Sequence, residues 1–284
     1  MPYSATLHNP SSLATLDEDV EYRRPTYGRM LTIRPDQVEA FERYHLQKFE
    51  GEMVEHLKEF APRHWKVIGE QIGREAIRFG IKQAERYGFT NRGPVRFYIE
   101  MMFLFGSYFD TDPQYPWAAE LLRDSEHQMT RADRLYDRSK EYWTRAAGAE
   151  NSFVLAALRR LSEARVEDYT ADIYESLDGC FLAALRNIYP QKCEYLGEAP
   201  VRALLRKVLE LADRHGFKTS EEMFVLTALM FFSGHECAHD PLHMQIRKMY
   251  ADTKQSTLPE RSLELRRKAT QYFRYILNGE EGAA

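Results

Sequence analysis

Cysteine is scarce in this chain: three in 284 residues, at Cys180, Cys193 and Cys237. An odd and dispersed set makes a poor disulfide framework, because oxidising compartments favour dense, even cysteine usage. A reduced cytoplasm is therefore the expected location. Glycine and proline are also few, 15 and 12, and Leu, Ala, Glu and Arg dominate most windows, which favours helix over sheet. No run of about 18 apolar residues occurs, so no membrane-spanning helix is expected. The N-terminus lacks the charged start and apolar stretch of a secretory leader. Excess positive charge is missing too. At a net charge of −4 and a pI near 6.2, the chain lacks the basic face that phosphate contacts need, so nucleic acid is not an expected partner. One local exception, LRRKATQYFR at 265–274, reads as the solvated face of a cationic helix.

What is present is the composition of a soluble globular protein, 44% hydrophobic and 29% charged, long enough for one large domain or two modest ones. Residues 1–30 read as a polar tail without helical or strand periodicity and with little fixed structure. Order is expected to begin just after Met30. From Pro35 the apolar positions Val38, Phe41, Leu46, Phe49, Met53 and Leu57 recur at roughly helical spacing.

A shift of 128 positions, without gaps, brings landmark residues into register. Pro62 falls on Pro190, Gly69-Glu70 on Gly197-Glu198, and AERYGF at 84–89 on ADRHGF at 212–217. Gly106 falls on Gly234, and Asp112-Pro113 on Asp240-Pro241. Residues 57–124 and 185–252 share 16 identities in 68 positions, where unrelated sequences share about four. The pattern predicts an all-α protein built by tandem duplication of a unit of roughly 110–128 residues. The expected division is 31–150 for the first unit and 151–284 for the second, packed as a pseudo-twofold helical bundle.

Within each unit the periodicity predicts a first helix over 35–60 and 166–188, and a second over about 67–87, ending at Gly88 as its counterpart ends at Gly216. A glycine followed by phenylalanine fits a left-handed C′ residue with an apolar residue folding back. The most apolar helix of each unit comes next, through VRFYIEMMFLF and MFVLTALMFF, closed by Gly106 and Gly234. A short helix is expected after each Asp-Pro, and a charged helix at about 131–146 and 259–277.

The second unit's loop, GHECAHDPLH, packs His235, Cys237, His239 and His243 into ten residues, a set that could suit zinc. The first unit's loop, GSYFDTDPQY, keeps the Gly-x5-Asp-Pro skeleton and places Ser107, Phe109, Thr111 and Tyr115 at those four positions. The skeleton reads as punctuation: Asp112 and Asp240 accept from free backbone N–H groups, and Pro113 and Pro241 follow where a missing N–H costs nothing. Metal is the minor reading, because all four candidates come from one short segment, and no cofactor is expected. Glu70–Arg74 and Glu198–Arg202 read as ordinary i,i+4 ion pairs. GxSxG, glycine-rich phosphate loops, HExxH and CxxC are all missing. Aromatic residues are plentiful, 13% of the chain. They either fill the seam between the units or mark a protein interface, with Tyr108, Asp110, Tyr115, Trp117, His235, His239 and His243 as candidate partner-binding residues.

The order IRPDQVEAFERY…FEGEMVEHL, then YGFTNRGPVRFYIEMMFLFGSYFDTDPQYPW, then GHECAHDPL resembles a bacterial family encoded beside type VI secretion spike proteins, PAAR-repeat tips and their effectors. The resemblance covers nearly everything after Met30 and brings no catalytic residues with it. It implies a non-enzymatic cytoplasmic accessory that binds another protein. An immunity protein neutralising a cognate effector comes first, and an adaptor loading one onto the spike second. A metal-dependent enzyme or sensor built on His235, Cys237, His239 and His243 is the alternative from another class.

Overall fold

The computed structural model describes residues 34–165, 177–252 and 258–278, which form helices joined by turns and short loops, with no strand among them. Helix α1 spans Pro35–Phe60 and α2 Pro62–Arg86; α3 spans Arg92–Phe105, α4 Pro116–Arg123 and α5 Gln128–Tyr142. A π-turn at Trp143–Ala147 and a 3₁₀ turn at Ala149–Asn151 lead into α6, Ser152–Glu163. Then come α7 (Leu177–Ile188), α8 (Pro190–Leu196), α9 (Glu198–His215) and α10 (Ser220–Ser233). A 3₁₀ turn at Pro241–His243, α11 (Met244–Asp252) and α12 (Leu258–Asn278) complete the order.

Glycines set where these helices bend and stop. Gly69 (φ 74°) breaks α2, and Gly197 (φ 74°) separates α8 from α9. Gly88 and Gly216 share φ 68°. Past them the Phe89 and Phe217 N–H groups reach back to the Ala84 and Ala212 carbonyls, at 3.0 and 2.9 Å. Both phenylalanines are buried, so each helix ends in a Schellman turn with an apolar residue tucked under it. An arginine of a later helix covers each stop. Arg131 donates to the Tyr87 carbonyl and lies 4.8 Å from the Phe89 ring; Arg261 donates to the Gly216 carbonyl and lies 4.8 Å from the Phe217 ring. These contacts recur in the two halves of the chain.

Buried apolar side chains form two cores. One draws on residues from Met53 to Ala146 plus Leu242, the other on residues from Ala147 to Phe273. The change-over falls inside the π-turn, which widens the backbone spiral and frees the Ala146 carbonyl. The Tyr189 hydroxyl takes it at 2.7 Å, tying the halves together beside the connection.

Several boundaries differ from the sequence expectations. α2 starts at Pro62, because proline suits a first turn, and absorbs the Gly69 kink within one element. The short helix expected after Asp112-Pro113 is α4, which begins after an intervening turn, at Pro116. After Asp240-Pro241 the expected short helix opens as a 3₁₀ turn that runs directly into α11 at Met244. α6 lies outside the two aligned stretches, 57–124 and 185–252. The 1–30 tail and the 166–176 stretch lie outside the described residues.

Candidate functional site at the crossing of two loops

The two Gly-x5-Asp-Pro loops meet back to back. Gly106 and Gly234 take φ 97° and 94°, a region open in practice to glycine alone. A Cβ on Gly106 would stand 3.1 Å from the Ser233 carbonyl oxygen, and one on Gly234 would stand 3.1 Å from that of Phe105. Both the backbone angle and the close approach demand glycine here.

The aspartates then bind both loops. Asp112 Oδ1 accepts from the Gln114 N–H at 2.8 Å on its own loop, while Oδ2 accepts from the His235 N–H at 2.8 Å on the other. Asp240 Oδ1 accepts from the Leu242 N–H at 2.9 Å, and Oδ2 accepts from the Ser107 N–H at 2.7 Å. The Ser107 hydroxyl adds a 2.6 Å bond to Asp240 Oδ1. Ser107 and His235, Asp112 and Asp240, Gln114 and Leu242 are each 128 positions apart. Both carboxylates are buried, and burial pushes the Asp240 carboxyl up against the pull of its donors. The space enclosed is too small for a water molecule.

Two further pairs flank the crossing. His64 Nε2 lies 2.7 Å from the Leu242 carbonyl oxygen; a carbonyl only accepts, so this nitrogen carries the proton. The His64 ring stacks on His243, centroids 5.9 Å apart, and sits 5.4 Å from Phe103. Burial holds both histidines down at about 4. In sequence, 128 positions on from His64, stands Lys192, only 2% exposed. Its Nζ donates to the Phe231 carbonyl and, at 3.4 Å, to the Tyr115 hydroxyl, and lies 4.4 Å from the Phe231 ring centroid. Burial lowers this ammonium to about 8, with the Asp112 charge opposing. Lys192 was missed at the sequence level. The available signal was its register: it stands opposite His64, as Tyr115 stands opposite His243.

The histidine–cysteine set does not converge. His235 Nδ1 lies 3.5 Å from Asp112 Oδ2, His239 Nδ1 2.9 Å from Glu236, and His243 Nδ1 3.3 Å from the Tyr272 hydroxyl. Cys237 is buried, and burial pushes its thiol well up, away from thiolate chemistry. Among the described residues no three His, Cys, Asp or Glu side chains gather in a metal-holding group. Most of the partner-binding candidates lie inside the molecule. Asp110, Tyr115, Trp117, His235 and His243 are all buried. Asp110 accepts from the Tyr87 hydroxyl at 2.8 Å, and Tyr115 packs against Phe105 and Tyr142 with centroids 4.9 and 5.6 Å away. A loop that must satisfy its backbone inside the molecule draws its polar side chains inward. Tyr108 stays half-buried and only His239 is exposed.

No known protein family, curated protein or solved structure matches the chain. What is open to a partner lies elsewhere. Residues 35–48 of α1 are exposed along their whole length. They carry Val38 at 42%, Phe41 at 60%, Tyr44 at 61% and Leu46 at 48% exposure. α1 begins to bury side chains only from Glu50 onward, through Met53, Val54, Leu57 and Phe60. None of the described helices is long and apolar enough to cross a membrane.

Proposed function

We propose that the chain is a non-catalytic protein-binding accessory made of two units related by tandem duplication. On the resemblance stated above, it is an immunity-type protein that binds a cognate effector of a type VI secretion locus. The duplication is supported by the glycine pairs with matching φ and by the reciprocal aspartate contacts, all at one sequence offset.

The binding reading rests on the outer half of α1. A free helix of about 14 residues is marginal in water, and this one spends four large apolar side chains on solvent. At 100° per residue, Phe41, His45, Val38 and Phe49 fall within about 80° of one another, with Tyr44 and Leu46 about 60° to either side and the polar Gln37, Lys48 and Glu42 in the gaps. Such a side is what an amphipathic helix offers to a partner's groove. Phe41 and Tyr44, the most exposed, are the anchor residues; aromatic anchors carry most of the energy at such contacts.

The test is co-expression with the product of the adjacent effector gene. A stable complex is expected, and Phe41→Asp with Tyr44→Asp should weaken it by about thirtyfold or more while leaving the fold intact. Cells carrying the effector should survive only when the wild-type chain is present. If no neighbouring product forms a complex, or the double variant binds undiminished, the reading is wrong. If cells without the chain tolerate the effector but cease to export it, the role is loading rather than neutralisation.

A further inference from the structure

The basic run at 265–274 takes no part in the loop crossing or in α1, and the fold divides it. Arg267 and Lys268 are held by Glu264, at 2.8 and 3.3 Å. Arg266 and Arg274 instead stand on the side of α12 that carries Ala269, Thr270 and Phe273, and there they rim a cavity. Its walls are α6, α10 and α12, and its volume is about 490 Å³, within the usual range for small-molecule sites.

The apolar lining comes from Leu161, Phe224, Val225, Ala228, Ala269 and Phe273, five of them under 9% exposed. The charged lining is three arginines, Arg165, Arg266 and Arg274, and no carboxylate. Arg266 is steadied by Glu221 at 3.0 Å. No carboxylate is paired with Arg165 or Arg274 among the described ion pairs. Guanidinium groups at the mouth and an apolar, largely buried floor ask for one kind of occupant: an apolar body ending in an anion. A free long-chain carboxylate fits both demands, since its tail covers the floor and its head takes the planar arginine fork.

We propose that the cavity between α6, α10 and α12 is a binding site for a free long-chain carboxylate, its head at Arg266 and Arg274. The site uses helices other than α1, so its failure would leave the partner-binding reading untouched.

The experiment is calorimetric titration of the full chain with dodecanoate, dodecanol and dodecyltrimethylammonium, each below its micelle threshold. Dodecanoate should saturate one site per chain, dodecanol should bind about tenfold more weakly, and the cation should give no saturable binding. Arg274→Glu is exposed and should leave the melting curve unchanged while weakening dodecanoate by about tenfold or more. Ala228→Leu, which narrows the floor, should weaken dodecanoate and dodecanol together. Absence of saturable dodecanoate binding would overturn the proposal, as would equal affinity for dodecanol or indifference to Arg274→Glu. Binding of an acidic amphipathic peptide in place of dodecanoate would overturn it as well.

Discussion

Asp112 and Asp240 each bind two loops with one carboxylate. In each, one oxygen takes the N–H two residues ahead on its own loop, and the other takes the N–H that opens the opposite loop. Neither loop can therefore close without the other. A buried N–H left without its acceptor costs about 1–3 kcal/mol. Asp112→Ala strands the Gln114 and His235 N–H groups together, so a loss of roughly 2–5 kcal/mol in denaturant-derived stability is expected. The Asp240→Ala loss should be similar, and the double variant should lose less than the sum, because both residues hold one seam. Strict additivity would show that the two caps act independently.

Glycine replacement separates backbone demand from space. Gly106→Ala and Gly234→Ala should each cost about 2–4 kcal/mol, combining a φ that non-glycine residues avoid with a Cβ pressed on a carbonyl oxygen. Gly51→Ala is the control. It sits inside α1 with nothing within 4 Å of the added carbon, and should gain roughly 0.5–1 kcal/mol. Thermal melts of the three variants decide the matter.

His64 and His243 make stability depend on acid. Both have folded values of about 4, below the value of roughly 6.5 in an unfolded chain. Above that upper value both states hold them neutral, and nothing changes. Between the two values the unfolded chain binds protons that the folded one refuses, so stability falls as pH falls, by up to about 1.4 kcal/mol per pH unit for each histidine. His64→Asn or His243→Asn should flatten this slope between about pH 6.5 and pH 5, above the range where carboxylates titrate. A slope unchanged in both variants would refute the assignment.

Lys192 works in the alkaline direction. Its folded value of about 8 lies below the value of roughly 10.4 in an unfolded chain. Over that window the unfolded chain keeps a proton that the folded one has lost, so stability rises with pH from about 8 towards 10. Lys192→Met keeps most of the volume without the charge. It should leave stability near neutral pH within about 1.5 kcal/mol and remove the rise, as read from urea unfolding at several pH values.

Much of the architecture is legible because its causes are local. Pro35 and the apolar spacing after it mark α1, which spans Pro35–Phe60. Gly88-Phe89 and Gly216-Phe217 encode helix stops that need only the preceding turn. α6 escapes because the repeat reasoning has no partner for it. The short helix expected after Asp112-Pro113 forms but starts one turn later, because Pro116 offers a better start next to the buried Trp117. Zinc-like spacing in GHECAHDPLH misleads for a related reason. Spacing fixes which residues are near in the chain, whereas metal binding requires side chains that point to one spot, and these four turn to Asp112, Glu236, Tyr272 and the core.

The helices α1, α3 and α10, the glycine stops and the offset of 128 were determined by sequence alone, because helix formation and capping act over a few residues and leave their signal in composition and period. Only the tertiary structure decided that the two Asp-Pro loops exchange caps. It also decided that Lys192 is buried against Phe231 and Tyr115, and that Arg266 and Arg274 share a cavity mouth. The exchanged bonds join Ser107 to Asp240 and His235 to Asp112 across 133 and 123 positions. No local preference specifies such a contact; it forms because packing the two cores together removes water from the Ser107 and His235 N–H groups and leaves the Asp240 and Asp112 carboxylates as their acceptors.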